Sequence, residues 1–247
     1  MTEPPNAVID RMMLILGAFD TDRVLSVSEL ARRTGLAKST VHRMAGTLLE
    51  HGVLERSGVR FTLGLRLFEL GERVPRKLGL REAALPYMAD LRAATRQTVH
   101  LAVLDGTDVV YLEIFRNPEA PPLPSRTGGR LPAHATGVGK AMLAFSPQRV
   151  LDEVLRRGLR RVAERTITDP AMLTRQLRTV RANGVANEYE ESGAGIVCAA
   201  SPILNIDQTV AGAISVSGLS GRLDLRRMTP AVRTAALAIS RTLGART

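Results

Sequence analysis

Apolar residues in the first eighty positions recur at helical spacing. Met12, Ile15, Leu16 and Phe19 share one face of a helix predicted over Val8 to Phe19. Ser26 and Glu29 have the S-x-x-E spacing of a capping box, which opens a second helix, and Gly35 suits the left-handed residue that closes it. Val41, Met44 and Leu48, three and four apart, place a third helix from about Lys38 to His51, ended by Gly52. Val53 to Arg56 and Arg60 to Leu63 then bracket Ser57-Gly58 and predict a β-hairpin. Leu67, Leu70, Val74 and Leu78 return to a helical stripe that Pro75 should kink or break.

From about residue 97 the period changes. Thr98 to Leu104 and Asp108 to Phe115 read as strands joined around Asp105-Gly106. Pro118 to Pro124 holds four prolines in seven residues and predicts an irregular loop. Helices are expected at about Gly137–Phe145 and Pro147–Arg157, and a third with Asp169 as N-cap, Pro170 at its first position and Gly184 at its end. Strands follow at Val185–Tyr189, Ile196–Leu204 and Val210–Ser217, and a last helix is expected to start at Thr229-Pro230. Helices mixed with hairpins predict an α+β class with an antiparallel sheet rather than a doubly wound parallel one.

Composition narrows the classes. The longest apolar stretch, Met12 to Phe19, is far short of the ~20 residues that cross a bilayer. Glu3 and Asp10 stand where a secretory signal would carry basic residues. A single cysteine forms no internal disulfide, and no Cys/His cluster has zinc spacing, so neither metal nor cofactor is expected and a cytoplasmic setting fits. A net charge of +10 favours an anionic partner, but residues 1–80 carry 12 Lys/Arg against 9 Asp/Glu and the remainder 22 against 15. The excess is spread, and charge alone does not locate a site.

Helix, short Gly-containing turn, helix and hairpin is the element order of a winged helix-turn-helix. With Val41, Met44 and Leu48 turned inward, the third helix leaves Lys38, Ser39, Thr40, His42, Arg43 and Thr47 mostly outward. Hydroxyls and cations there can donate to phosphates and base edges in a major groove. Arg56 and Arg60 flank the hairpin tip, within reach of backbone phosphate or a minor groove. The alternative is a three-helix protein-interaction unit with a polar surface and no DNA.

Further along, Thr136-Gly137-Val138-Gly139-Lys140 invites a nucleotide-binding reading and fails it: His134 holds the first glycine position of a P-loop and Ala141 replaces its Ser/Thr. What is left is a helix start where Thr136 caps and the glycines at 137 and 139 leave backbone N–H groups open to a small anion. Ser215 and Ser217, two apart, put both hydroxyls on one strand face, and Ile196 and Cys198 stand in the same relation on the neighbouring strand. Compact donors beside an apolar wall suit a small ligand with oxygens. Glu188, Glu190 and Glu191 cluster around one tyrosine; three such acids at a strand end fit a solvated loop, without a partner at fixed helical spacing.

The run LSVSELARRTGLAKSTVHRMAGTLLEHGVLE (25–55), followed by RFTLGLRLFELG (60–71), resembles the DNA-binding domain and linker helix of the IclR-type bacterial transcriptional regulators. RLPAHATGVGKAML (130–143) and NEYEESGAGIVCAASPILNIDQTVAGAISVSG (187–218) resemble that family's effector-binding domain, in its order and spacing. The resemblance implies a winged helix-turn-helix (about 1–64), a linker helix (about 65–80) and a GAF-like α+β effector domain (about 81–247). It implies a ligand cavity lined by Leu131, Gly137, Val138, Glu188, Ile196, Cys198, Ser215 and Ser217, with Glu190 and Glu191 structural or gating. Val138 stands where the family often has Ala, and Glu188 where it often has Asp, departures that bear on which ligand fits. The expected protein is a regulator, a repressor, that reads palindromic double-stranded operator DNA and responds to a small organic acid, pyruvate- or glyoxylate-sized or aromatic. Palindromic operators require at least a homodimer, and the family implies a dimer of dimers. The alternative is an enzyme acting on a small carboxylic acid. It would need Cys198 as nucleophile with His100 or His134, the nearby histidines by family topology, as base.

Overall fold

The computed structural model describes residues 8–20, 22–118 and 123–245; Glu3, the Leu78 side chain and residues 119–122 of the Pro-rich loop lie outside them. The chain divides into two compact units, Met1–Pro75 and Arg76–Thr247.

In the first unit, helix α1 (Val8–Gly17) runs into a tight 3-10 turn at Ala18–Asp20. Helix α2 (Val27–Thr34) starts with the full capping box: the Glu29 amide donates to Ser26 Oγ at 3.3 Å, and the Ser26 amide donates to the Glu29 carboxylate at 2.8 Å. It stops at Gly35, whose φ of 72° only glycine adopts without strain. Helix α3 (Lys38–Glu50) buries Val41, Met44, Ala45 and Leu48. Strands β1 (Leu54–Ser57) and β2 (Arg60–Leu63) form the hairpin. Leu25, just before the α2 cap, bridges to Phe61 and so ties the hairpin to the helices. Ile15, Phe19, Leu25, Leu30, Met44 and Leu54 are part of one small core. The helical stripe then breaks as Pro75 demands: α4 (Leu65–Gly71) ends, and α5 (Pro75–Thr95) begins with the proline as its first residue. One linker helix over 65–80 is therefore not observed, and α5 continues through the 80/81 boundary expected from the sequence.

The second unit is built on a six-stranded antiparallel sheet. Its strands are β3 (Thr98–Asp105), β4 (Asp108–Phe115), β5 (Arg130–Pro132), β6 (Ala186–Tyr189), β7 (Ile196–Leu204) and β8 (Val210–Leu219), in the order β5-β4-β3-β8-β7-β6. Helices α5 and α9 (Leu225–Gly244) cover one face through Ala84, Met88, Leu101, Ile214, Val232 and Ile239. The other face is covered by α6 (Gly137–Leu143), α7 (Gln148–Arg157) and α8 (Pro170–Asn183). Because both faces are covered, β7 is buried at every residue but its last. Pro202 fits within β7 because it pairs with Ala213 on β8 and lies beyond Ala200, the last β7 partner of β6. The last helix starts at Leu225 rather than Thr229: Asp224 caps it, its carboxylate taking the Arg226 amide at 3.0 Å, and Pro230 falls inside the helix.

Candidate functional site

Two sites were expected, one in each unit. On α3, Lys38, Ser39, His42 and Arg43 are exposed, while Thr40 and Thr47 are half-buried. Ala37 precedes α3 and offers no side-chain cap. The first amides of this helix are therefore left for an outside acceptor such as a phosphate. Arg56 and Arg60 are both exposed on the hairpin. The Arg56 guanidinium stacks over the Phe61 ring at 5.6 Å, and Arg60 stands 3.9 Å from the capping Glu29. Arg33, by contrast, is held by Asp22 and the Ala18 carbonyl.

In the second unit, antiparallel register brings chemistry from four strands to the sheet face under α6. His100 pairs with Ser215, and Cys198 pairs with both Ser217 and Glu188. Leu131, Gly137, Val138, Glu188, Ile196, Cys198, Ser215 and Ser217 all line one cavity of about 330 Å³, its open mouth included. The enclosed space within it is about 20 Å³, room for about one water, so the walls must move apart to admit an organic acid. Ser215 and Ser217 lie on a central strand, 1% and 5% exposed, and not on a solvent edge. His100, Tyr111, Ser125 and Ser192 complete the polar wall. Sequence reasoning did not place these four in the cavity; alternation within a strand is legible, but the register that pairs His100 with Ser215 is not.

The glycines of α6 have different tasks. Thr136 caps the helix by accepting the Gly139 amide at 3.0 Å, so that amide is not open to a ligand as expected. Gly139 is required by packing, since a Cβ there would stand 2.1 Å from the Ala133 carbonyl oxygen. Gly137 faces the cavity, and a Cβ there would meet Cys198 Sγ at 2.8 Å. Among the described residues, no acceptor is found for the Gly137 or Val138 amide.

The acids are not a solvated loop. Glu188 and Glu191 are buried, and Glu190 is half-buried, accepting the Gly195 amide at 3.1 Å. Lys140, fully buried, donates to Glu191 Oε1 at 2.5 Å, Gln176 Oε1 at 3.0 Å and the Asn187 carbonyl at 3.2 Å. That saturates its three donors and removes any resemblance to a phosphate-binding lysine. Glu188 accepts the Glu191 and Ser192 amides at 2.6 and 3.1 Å. Burial outweighs these bonds and raises the Glu188 carboxyl to about 7, with the Glu191 charge adding to the rise. Burial, followed by the Glu188 charge, lifts the Cys198 thiol to about 12. His134 is not its base: its Nε2–H donates to the Arg160 carbonyl at 3.1 Å. A thiol so disfavoured as thiolate is a wall atom and not a nucleophile.

A helix-turn-helix with a hairpin wing, carried with an α+β unit enclosing a polar-walled cavity, defines a ligand-responsive DNA-binding regulator. Residues 8–58 match the IclR helix-turn-helix domain and residues 73–241 the bacterial transcriptional regulator IclR C-terminal domain. The chain is 32% identical over 244 residues to the HTH-type transcriptional regulator XynR of Escherichia coli, covering 96% of each. It is 35% identical over 238 residues to the HTH-type transcriptional regulator BhcR of Paracoccus denitrificans, covering 94% of this chain and 85% of that one. An IclR homologue from Microbacterium hydrocarbonoxydans, solved in complex with 4-hydroxybenzoate, is 33% identical with a TM-score of 0.88 over 97% of this chain and all of its own. The Thermotoga maritima IclR is 29% identical, TM-score 0.79, over 97% and 99%. The protein belongs to the IclR family of bacterial transcriptional regulators. Its relatives are named as regulators, which removes the enzyme alternative. No helix among the described residues is long and apolar enough to cross a membrane.

Proposed function

We propose that this IclR-family regulator binds near-palindromic operator DNA through α3 and the hairpin wing, as a homodimer or dimer of dimers in the bacterial cytoplasm. In this reading residues 65–80 connect the two domains, and a small organic acid bound by the effector domain modulates the affinity for DNA. The observation that carries it is the convergence of Ser215, Ser217, Gly137 and Val138 on one cavity whose wall also holds Leu131, Ile196, Cys198 and Glu188. Hydroxyl and amide donors above an apolar wall hold a carboxylate on one side and its carbon body on the other. The 4-hydroxybenzoate of the Microbacterium homologue is an acid of this kind. Val138, larger than Ala, narrows the space for that body.

Calorimetry with 4-hydroxybenzoate and with pyruvate, on the natural chain and on the Ser215→Ala, Ser217→Ala variant, tests the acid. Each hydroxyl bonded to a charged group is worth about 1.5–3 kcal/mol, so the variant should lose about tenfold or more in affinity. Gel-shift against the gene's own upstream DNA should show unchanged affinity without ligand. Equal dissociation constants for the two proteins would put the acid elsewhere, and no shift of any upstream DNA would favour the interaction-module alternative.

A further inference from the structure

His100 lies on β3 at the cavity wall, 3% exposed, and both of its ring nitrogens meet hydroxyls. Nε2 is 2.8 Å from Ser125 Oγ, and Nδ1 is 3.5 Å from Ser215 Oγ. The groups around it are the Tyr111 ring, tilted by 54° at 5.3 Å, and the Arg116 charge. Burial, then Arg116, pushes the imidazole down to about 3, so the ring is uncharged at ordinary pH. An uncharged imidazole has one donor and one acceptor, and the two serines must therefore take opposite roles.

Resting on the acid reading above, we propose that His100 is a positioning residue of the cavity. As its Nδ1–H tautomer it accepts from the Ser125 hydroxyl, donates to Ser215 Oγ, and leaves the Ser215 proton to turn into the cavity toward a ligand oxygen that only accepts. The opposite tautomer commits the Ser215 proton to Nδ1 and turns oxygen lone pairs on the ligand, which repels a carboxylate. The same relay reaches the 123–125 wall, where Arg116 Nη2 holds the Ser125 carbonyl at 2.6 Å. Ligand polarity is thus set by a residue that need not touch the ligand.

The ring ¹⁵N and ¹³C shifts of His100, in the full chain labelled at its four histidines, read the tautomer without any ligand. Its signal is assigned by its loss in His100→Asn. The expected result is an Nδ1–H ring that does not titrate between pH 5 and 8, and that moves toward a tautomer mixture in Ser125→Ala. An Nε2–H ring, a titration near the ordinary ~6.5, or a signal indifferent to Ser125→Ala would overturn the relay. His100→Asn keeps an N–H near Nδ1 and should hold benzoate affinity within about threefold, while His100→Phe should lose about tenfold. Equal losses in the two variants count against it. An Nδ1–H ring in a chain that binds no carboxylate leaves the relay standing and fells the acid reading, and an Nε2–H ring in a chain that binds carboxylates does the reverse.

Discussion

Glu188 lines the cavity proposed above to take a carboxylate, so its protonation bears on binding there. With its carboxyl raised to about 7, Glu188 is largely uncharged below that pH and anionic above it. A ligand anion meets no like charge in the first case and an unscreened one in the second. Affinity for pyruvate, itself ionised throughout, should therefore be flat from pH 5.5 to 6.5. Above pH 7 it should fall, by up to about tenfold per unit where only the protonated form binds. The same titration on Glu188→Gln should stay flat, and an affinity rising with pH in the natural chain would sink the argument. At this scale the sequence reveals what lies within two residues: Ser215 with Ser217 and Ile196 with Cys198 share faces because strands alternate. The Lys140–Glu191 pair spans 51 positions, and no local spacing reports it. Its only signal is the surroundings of Lys140, which sits between Gly139 and Ala141-Met142-Leu143 with no polar neighbour to keep it at the surface.

Helix α6 is the element on which the cavity depends, because it sets Gly137 and Val138 against β7 and β8. Its start is packed as closely as the chain allows: Gly139 leaves no room for a Cβ beside the carbonyl oxygen of Ala133 in the preceding 3-10 turn, which is backbone and cannot swing aside. Gly139→Ala should cost at or above the upper end of the ~1–3 kcal/mol seen for overpacking. Gly137→Ala meets the Cys198 side chain instead, and should cost less while narrowing the cavity. Urea midpoints of the two variants check the order, and a Gly139→Ala protein as stable as the parent would mean that α6 can shift away from the Ala133 turn. Elements with local signals were legible. The capping box of α2, the Asp169–Gly184 frame of α8 and the glycine-turned hairpin need only a few neighbouring residues. Others were not: β5 has three residues, the second half of α5 carries Pro86 inside it, and Pro230 drew the start of α9 away from Asp224. In each, tertiary packing overrides the local rule, as it does for Leu225, buried against the sheet in the first turn of α9.

For the whole molecule, the +10 charge has to be reconciled with a DNA-binding surface that occupies only part of the chain. Many arginines are already engaged away from α3: Arg81 with Glu113, and Arg156 and Arg157 with Glu153. The exposed cations on α3 and the hairpin are Lys38, Arg43, Arg56 and Arg60, the last also facing Glu29 at 3.9 Å, with the uncapped α3 amides beside them. Four cations per chain give eight in a dimer, within the 6–10 phosphates that a specific site of this size neutralises. Each neutralised phosphate releases condensed counterions, so operator affinity should drop about 10³–10⁵-fold between 50 and 200 mM salt. Filter binding of the operator across that range measures it. Lys38→Ala, removing one phosphate contact per chain, should lower the slope of log affinity against log salt by about two in a dimer. A nearly flat titration would mean that this face does not hold the DNA backbone, and a slope lowered by only one would mean that a single reading head is engaged.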